Sequence, residues 1–286
     1  MTFDIQHFYH AASGTLSYLV SDPDSGEAAV IDPVIGFSVV SGRLDRSPVD
    51  DIVDAVRARN LDVCWVLETH AHADHLSGAR YVQEEVGGKI GIGTGIRQVQ
   101  AHFAKVFNLE PTFPADGSQF DHLFADGDAV PLGTQSGRVI ATPGHTSDSV
   151  TYLFGNAAFI GDSMFAPDIG TARCDFPGGD AAELYQSIHT LLSLSPDTRF
   201  YLCHDYPPEG RDVRVDVPLE EQLRDNLHVG GGRSLEDFIA MREARDAQLA
   251  LPALLLPSIQ VNIRAGDLPP AESNGVSYLK LPVDLL

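Results

Sequence analysis

The segment Val63-Cys-Trp-Val-Leu-Glu-Thr-His-Ala-His-Ala-Asp-His75 constrains this chain more than any other, because it ends a buried apolar run in four potential metal ligands within six residues. Val63 to Leu67 predicts a buried strand, and the periodicity from Leu76 to Val86 predicts that a helix follows. His70, His72, Asp74 and His75 then project from a strand end and a tight turn, and converge. Imidazole and carboxylate suit zinc, iron and manganese, and crowding them together is costly unless a cation offsets the charge. A lone histidine is more often a structural residue than a ligand. Here, however, three further candidates also stand at predicted strand ends: His145 in Thr142-Pro-Gly-His-Thr146, Asp162 in Phe159-Ile-Gly-Asp162, and His204 in Cys203-His-Asp-Tyr206. A bound metal is the economical explanation.

The rest of the chain predicts an α/β protein. Leu16–Val20 and Ala28–Ile31 flank the turn residues Asp22-Pro-Asp-Ser-Gly and read as a β-hairpin, and Asp50–Arg59 carries apolar residues at helical spacing. Lys89–Gly93 predicts a strand and Ile96–Phe107 a helix, followed by a Pro-, Gly- and Asp-rich connector to Gly137. Strands are expected over 139–142, 149–154 and 157–160, then an amphipathic helix over 183–194 and a strand over 199–203 that delivers His204. Beyond residue 210 the composition changes: helices are expected over 219–227 and 234–249, and Pro252, Pro257, Pro269 and Pro270 break up the tail. The expected organisation is a catalytic domain over 1–210 with an extension over 211–286 that packs on it and contributes to the substrate pocket.

Composition narrows the partners. With 40 acidic against 19 basic residues the formal charge is −21, and such a field repels nucleic acid and anionic membrane surfaces. No apolar run reaches the roughly 18 residues of a membrane span. Three widely spaced cysteines, Cys64, Cys174 and Cys203, do not form a secreted disulfide framework, so a reducing cytoplasm is expected.

The ligand segments resemble those of the metallo-β-lactamase superfamily over about residues 10 to 210. Within it the chain looks most like the persulfide dioxygenases, with glyoxalase II a close relative. The resemblance rests on Thr69-His-Ala-His-Ala-Asp-His-Leu-Ser-Gly78, Thr142-Pro-Gly-His-Thr146, Gly161-Asp162, Ala172-Arg-Cys-Asp-Phe176, His204-Asp-Tyr206 and Val261-Asn-Ile-Arg264. Where the family often has Gly-Cys-Gly-Arg before Thr-Asp-Phe, this chain has Gly170-Thr-Ala-Arg-Cys-Asp-Phe176. The resemblance implies a four-layer αβ/βα sandwich with the metal at one edge. It further implies one Fe(II) held by His70, His145 and Asp162, a face that leaves coordination positions open for glutathione persulfide and O2, and products sulfite and glutathione.

In that reading His72, Asp74, His75 and His204 orient water and ligands around the metal, or hold a second ion. Arg173 and Arg264 are the candidates to grip the two carboxylates of glutathione, since a guanidinium offers two parallel hydrogen bonds. Tyr206 is a candidate to hydrogen-bond the substrate. The resemblance also implies a homodimer. The competing enzyme is a glyoxalase II-like hydrolase of glutathione thioesters with two zinc ions, for which every ligand type is present. A closed structural metal site is a third possibility, but such sites are usually cysteine-rich, and this set is built from nitrogen and oxygen.

Overall fold

The computed structural model describes residues 3–285. The chain opens with β1 (Asp4–His10), β2 (Thr15–Ser21), β3 (Glu27–Ile31), β4 (Val34–Ser38), β5 (Arg43–Asp45), α1 (Ser47–Arg59) and β6 (Asp62–Leu67). Next come β7 (Leu76–Ser77), α2 (Ala79–Val86), β8 (Lys89–Gly93), α3 (Ile96–Val106), β9 (His122–Phe124), β10 (Ala129–Leu132) and β11 (Gln135–Ala141). Then follow β12 (Val150–Phe154), β13 (Ala157–Phe159), α4 (Ala181–Leu192), β14 (Arg199–Tyr201), β15 (Asp216–Pro218), α5 (Leu219–Asp225), α6 (Leu235–Asp246) and α7 (Leu255–Asn262).

Two six-stranded sheets run in the orders β1-β2-β3-β6-β8-β9 and β10-β11-β12-β13-β14-β15, with a small third sheet β5-β4-β7 beside them. In the first sheet β1, β2 and β3 are antiparallel neighbours, while β3, β6, β8 and β9 run parallel. In the second, β13 and β14 form the parallel pair. The last strand of that sheet, β15, lies beyond residue 210, so the sheet runs on into the segment the sequence set apart as an extension.

Period-two alternation builds the layers. Along β2, Leu16, Tyr18 and Val20 face the core between the two sheets, where they join Val139, Tyr152 and Phe159, while Leu19 faces the other way. On β3, Ala29 and Ile31 face the same inter-sheet core and Ala28 and Val30 the helix layer of Val49, Ile52 and Val56 from α1. Two sheets face to face with helices outside is the expected sandwich.

Two expectations need correction. Leu76 does not begin a helix: Leu76 and Ser77 pair with Ile35 and Val34 of β4, and α2 starts only after Gly78. The tail is not merely broken by prolines, because α7 forms across Pro257. That proline is the third helical residue, where a missing N–H has no intrahelical acceptor to leave empty. Among the described residues no helix is long and apolar enough to cross a membrane.

Candidate metal centre

Every candidate ligand leaves the sheets at one edge. Past the end of β6, Thr69 to His75 form a turn held by buried acceptors: Thr69 donates its N–H (2.7 Å) and hydroxyl (2.8 Å) to the Asp32 carboxylate, and the Ala71 N–H donates to Asp148 Oδ2 at 2.8 Å. From the far end of the chain, Asn262 completes the clamp. Its Nδ2 donates to the carbonyls of His72 (2.7 Å) and His75 (2.9 Å), and its Oδ1 accepts from the Ser77 N–H at 2.8 Å. One amide at the end of α7 thus fixes both arms of the ligand-bearing turn.

His145 is delivered by Gly144, whose φ of +130° only glycine adopts readily. A Cβ there would also stand 2.2 Å from the Leu184 backbone nitrogen, so the loop can press against α4 only without a side chain. The imidazole then donates from Nδ1 to the Arg173 carbonyl at 2.7 Å, which leaves Nε2 facing Asp162, 3.6 Å from Oδ2. Asp162 follows β13 in a 3-10 turn, and His204 follows β14.

The ligand-type atoms form two adjoining groups. His70, His145 and Asp162 each present an atom within 4.8 Å of the others, and so do His72, Asp74, His75 and His204. His70 Nδ1 is 3.1 Å from the Thr69 hydroxyl, an arrangement that leaves its Nε2 available. His72 Nε2 lies 3.0 Å from Asp32 and 3.3 Å from Glu68, so the two carboxylates fix the ring with Nδ1 turned to the cluster.

Five buried atoms here have no hydrogen-bond partner: His72 Nδ1, Asp74 Oδ2, His75 Nε2, Asp162 Oδ1 and His204 Nε2. An orphaned buried polar atom costs on the order of 1–3 kcal/mol, so five at one sheet edge would be a heavy penalty for a site without a cation. Four of them, on His72, Asp74, His75 and His204, belong to one group that a cation would satisfy, and Asp162 Oδ1 belongs to the carboxylate of the adjoining group. The donor set of imidazole and carboxylate fits zinc or iron.

The comparisons agree with this geometry. Residues 11–204 match the model of the metallo-beta-lactamase superfamily. The chain belongs to that superfamily. It is 49% identical to a probable metallo-hydrolase of Burkholderia pseudomallei, with 99% of both chains covered. It is 44% identical to a protein named glyoxylase B2 of Dictyostelium discoideum, covering 99% of this chain and 97% of that one. Similarity to the human persulfide dioxygenase ETHE1 is 29% identity over 92% of this chain and 88% of that one. The crystal structure of ETHE1 from Myxococcus xanthus superimposes with a TM-score of 0.73 at 29% identity, covering 93% of this chain and all (100%) of that one.

A cavity of about 310 Å³ opens over His70, His145 and Asp162, and Phe165, Phe176 and Tyr206 contribute to its walls. The Tyr206 ring stacks on His204 with an interplanar angle of 5°. Of the two arginines singled out in the sequence, Arg173 lines this cavity, but its guanidinium forms two bonds to Asp175 (2.5 and 2.6 Å) and a third to the Ala250 carbonyl at 2.7 Å. Arg264 is not among the cavity's lining residues, and the expectation of a pocket arginine there is corrected. It lies over the Phe113 ring, 4.6 Å from its centroid, and pairs with Glu110 at 3.0 Å.

Sequence reading missed Asp32, Glu68, Asp148, Arg242 and Arg245, and it met Asn262 only within the motif Val261-Asn-Ile-Arg264, without a role. Asp32 had a signal, since it ends the buried run Ala28–Ile31 as an acidic residue at a strand terminus. Arg242 and Asp246, both buried on α6, had none. They form an ion pair (2.8 Å) that reaches the Thr171 carbonyl (3.1 Å) and the Cys174 N–H (2.8 Å), on either side of the carbonyl that accepts from His145. Burial pushes the Cys174 thiol up to about 12, which leaves it protonated at neutral pH and inert as a nucleophile.

Proposed function

We propose that this protein is a persulfide dioxygenase that converts glutathione persulfide, O2 and water to sulfite and glutathione. The outer sulfur is oxidised by O2 and takes its third oxygen from water; the S–S bond breaks, the inner sulfur leaves as the thiol, and protons are released. The reading is carried by the grouping of His70, His145 and Asp162 on the floor of a cavity walled by aromatic rings and arginines. Two histidines and one carboxylate would hold Fe(II) with open positions, and such an iron supplies the activation of O2. It gains support from the likeness to persulfide dioxygenase ETHE1 over 92% of the chain.

The remaining residues bind and orient. The Arg173 guanidinium is already bound to Asp175 and to the Ala250 carbonyl, so it acts through its own carbonyl, which accepts from His145 Nδ1 and fixes that tautomer. Asp74 lines the same cavity and lies in one group with His75 and His204, and this set would position water for attack on the oxidised sulfur. The Tyr206 phenol, half exposed at the cavity wall, is placed to meet the substrate. The extension over 211–286 supplies Arg242 and Arg245 to the same cavity. The three cysteines are unpaired, as a reducing cytoplasm allows, and that is the compartment we propose.

A second reading rests on the five orphaned atoms. His72 Nδ1, with Asp74, His75 and His204, is enough to hold a second ion, which would make the protein a two-zinc hydrolase of glutathione thioesters, and the names metallo-hydrolase and glyoxylase carried by two relatives favour a hydrolytic reading. One experiment separates them: metal content of protein purified without oxygen, together with an oxygen-electrode assay. One iron per chain with oxygen uptake on glutathione persulfide is expected. Two zinc ions per chain, with thioester loss and no oxygen uptake, would replace the first reading by the second.

A further inference from the structure

The cavity over His70, His145 and Asp162 is one limb of a longer groove. A second cavity, of about 640 Å³, lies against it, and the two share Asp74, Tyr206 and Pro252 as walls. The ligand cluster therefore sits near the junction, with space extending both ways. The first limb contains Arg173, Arg242 and Arg245, and the second contains Arg43 on the hairpin of β4 and β5.

Their states of pairing differ. Arg173 is bound to Asp175, and Arg242 is buried against Asp246. Arg245 and Arg43 are exposed and, among the described residues, neither guanidinium has a hydrogen-bond or ion-pair partner. The acid nearest Arg43 in sequence, Asp45, also lines its limb, but accepts from the N–H (2.9 Å) and hydroxyl (2.7 Å) of Ser47. In a chain of formal charge −21, with 19 basic residues, an uncompensated guanidinium in each limb of one groove is a specific arrangement. Each is free to take a carboxylate with two parallel hydrogen bonds.

We propose that Arg245 and Arg43 hold the opposite ends of a short peptide-like thiol carrier, one with its sulfur near the middle and a carboxylate at each end. The sulfur then lies at the junction, beside the ligand cluster, while each limb holds one arm. A carrier with its sulfur at one terminus would fill a single limb and leave one guanidinium idle. The assignment rests on the proposed function only in taking a thiol carrier as the substrate, and it holds for either metal chemistry.

The test is calorimetric titration of the metal-loaded protein with glutathione, with its glycyl monoethyl ester, and with cysteinylglycine. Each analogue lacks one of the two carboxylates. Arg245→Ala and Arg43→Ala are each expected to weaken glutathione binding about tenfold, about 1.4 kcal/mol. Each should also lose its effect on one analogue, a different one for each arginine, and the lysine variants should recover part of the loss. Unchanged glutathione binding in either variant overturns the assignment, as does an equal loss for all three ligands. Oxygen uptake on inorganic persulfide by protein that binds no glutathione would overturn it while leaving the dioxygenase reading intact. Glutathione binding with the expected pattern, but no oxygen uptake, would do the reverse.

Discussion

His228 shows how a single side chain outside the metal cluster ties its surroundings to pH. Its Nδ1 accepts from the Thr171 N–H at 2.9 Å, in the loop that leads to Arg173, and Arg242 approaches the same nitrogen at 3.5 Å. Burial, and then the charges of Arg242 and its neighbours, hold its pKa down to about 4. In the unfolded chain an imidazole titrates near 6.5, so between these values the unfolded state binds a proton that the folded state refuses. The part of the stability that is linked to His228 is therefore full above about pH 6.5 and is lost as pH falls toward 4. His228→Asn keeps an acceptor for Thr171 but removes the titration. Its thermal midpoint is expected to fall less between pH 7 and pH 5 than that of the native chain, and parallel melting curves across that range would show that His228 is not the group responsible.

At the scale of elements, the ligand turn and the segment that steadies it lie far apart in sequence. Thr69 to His75 is positioned by β6 before it and by Asn262, which α7 brings back across 185 to 190 residues. Asn262→Ala removes three hydrogen bonds from the backbone that carries His72 and His75 without touching a ligand. Metal affinity should drop by about 10- to 100-fold, the usual effect of losing an orienting partner. Competition against a chelator measures this, and an unchanged affinity would mean that Asp32 and Asp148 suffice to hold the turn. The same distance explains what could be read from the sequence. The ligands stood out because each closes a short apolar strand, and strand, ligand type and turn residues are all local signals. Asn262 was visible only as part of a resemblance, since its work depends on a contact with a residue nearly two hundred positions earlier. α7 itself was hidden by Pro257, and the Glu110 partner that draws Arg264 away from the cavity is 154 residues distant. At Leu76 the periodicity suggests helix, but pairing with β4 decides the conformation.

For the whole molecule the question is how an anionic substrate reaches a chain with 40 acidic and 19 basic residues. Two fields compete. The summed charge repels an approaching carboxylate at long range, whereas the guanidiniums of Arg43 and Arg245 act at contact distance inside the groove. Salt treats them differently, since the Debye length shrinks from about 30 Å at 0.01 M to about 8 Å at 0.15 M. Over that range the far field of the surface is largely screened, while a bidentate pair within a cleft is weakened much less. Approach should therefore become easier as salt is added, and kcat/KM for glutathione persulfide is expected to rise several-fold between about 0.01 M and about 0.15 M ionic strength. A fall over the same range would mean that attraction by the groove dominates at long range as well, and that the acidic residues lie on faces the substrate never meets. The arginine variants refine the same measurement. If the two fields are separable, Arg43→Ala and Arg245→Ala should lower kcat/KM at every ionic strength while keeping the rise, because the repulsion that salt removes comes from the rest of the surface.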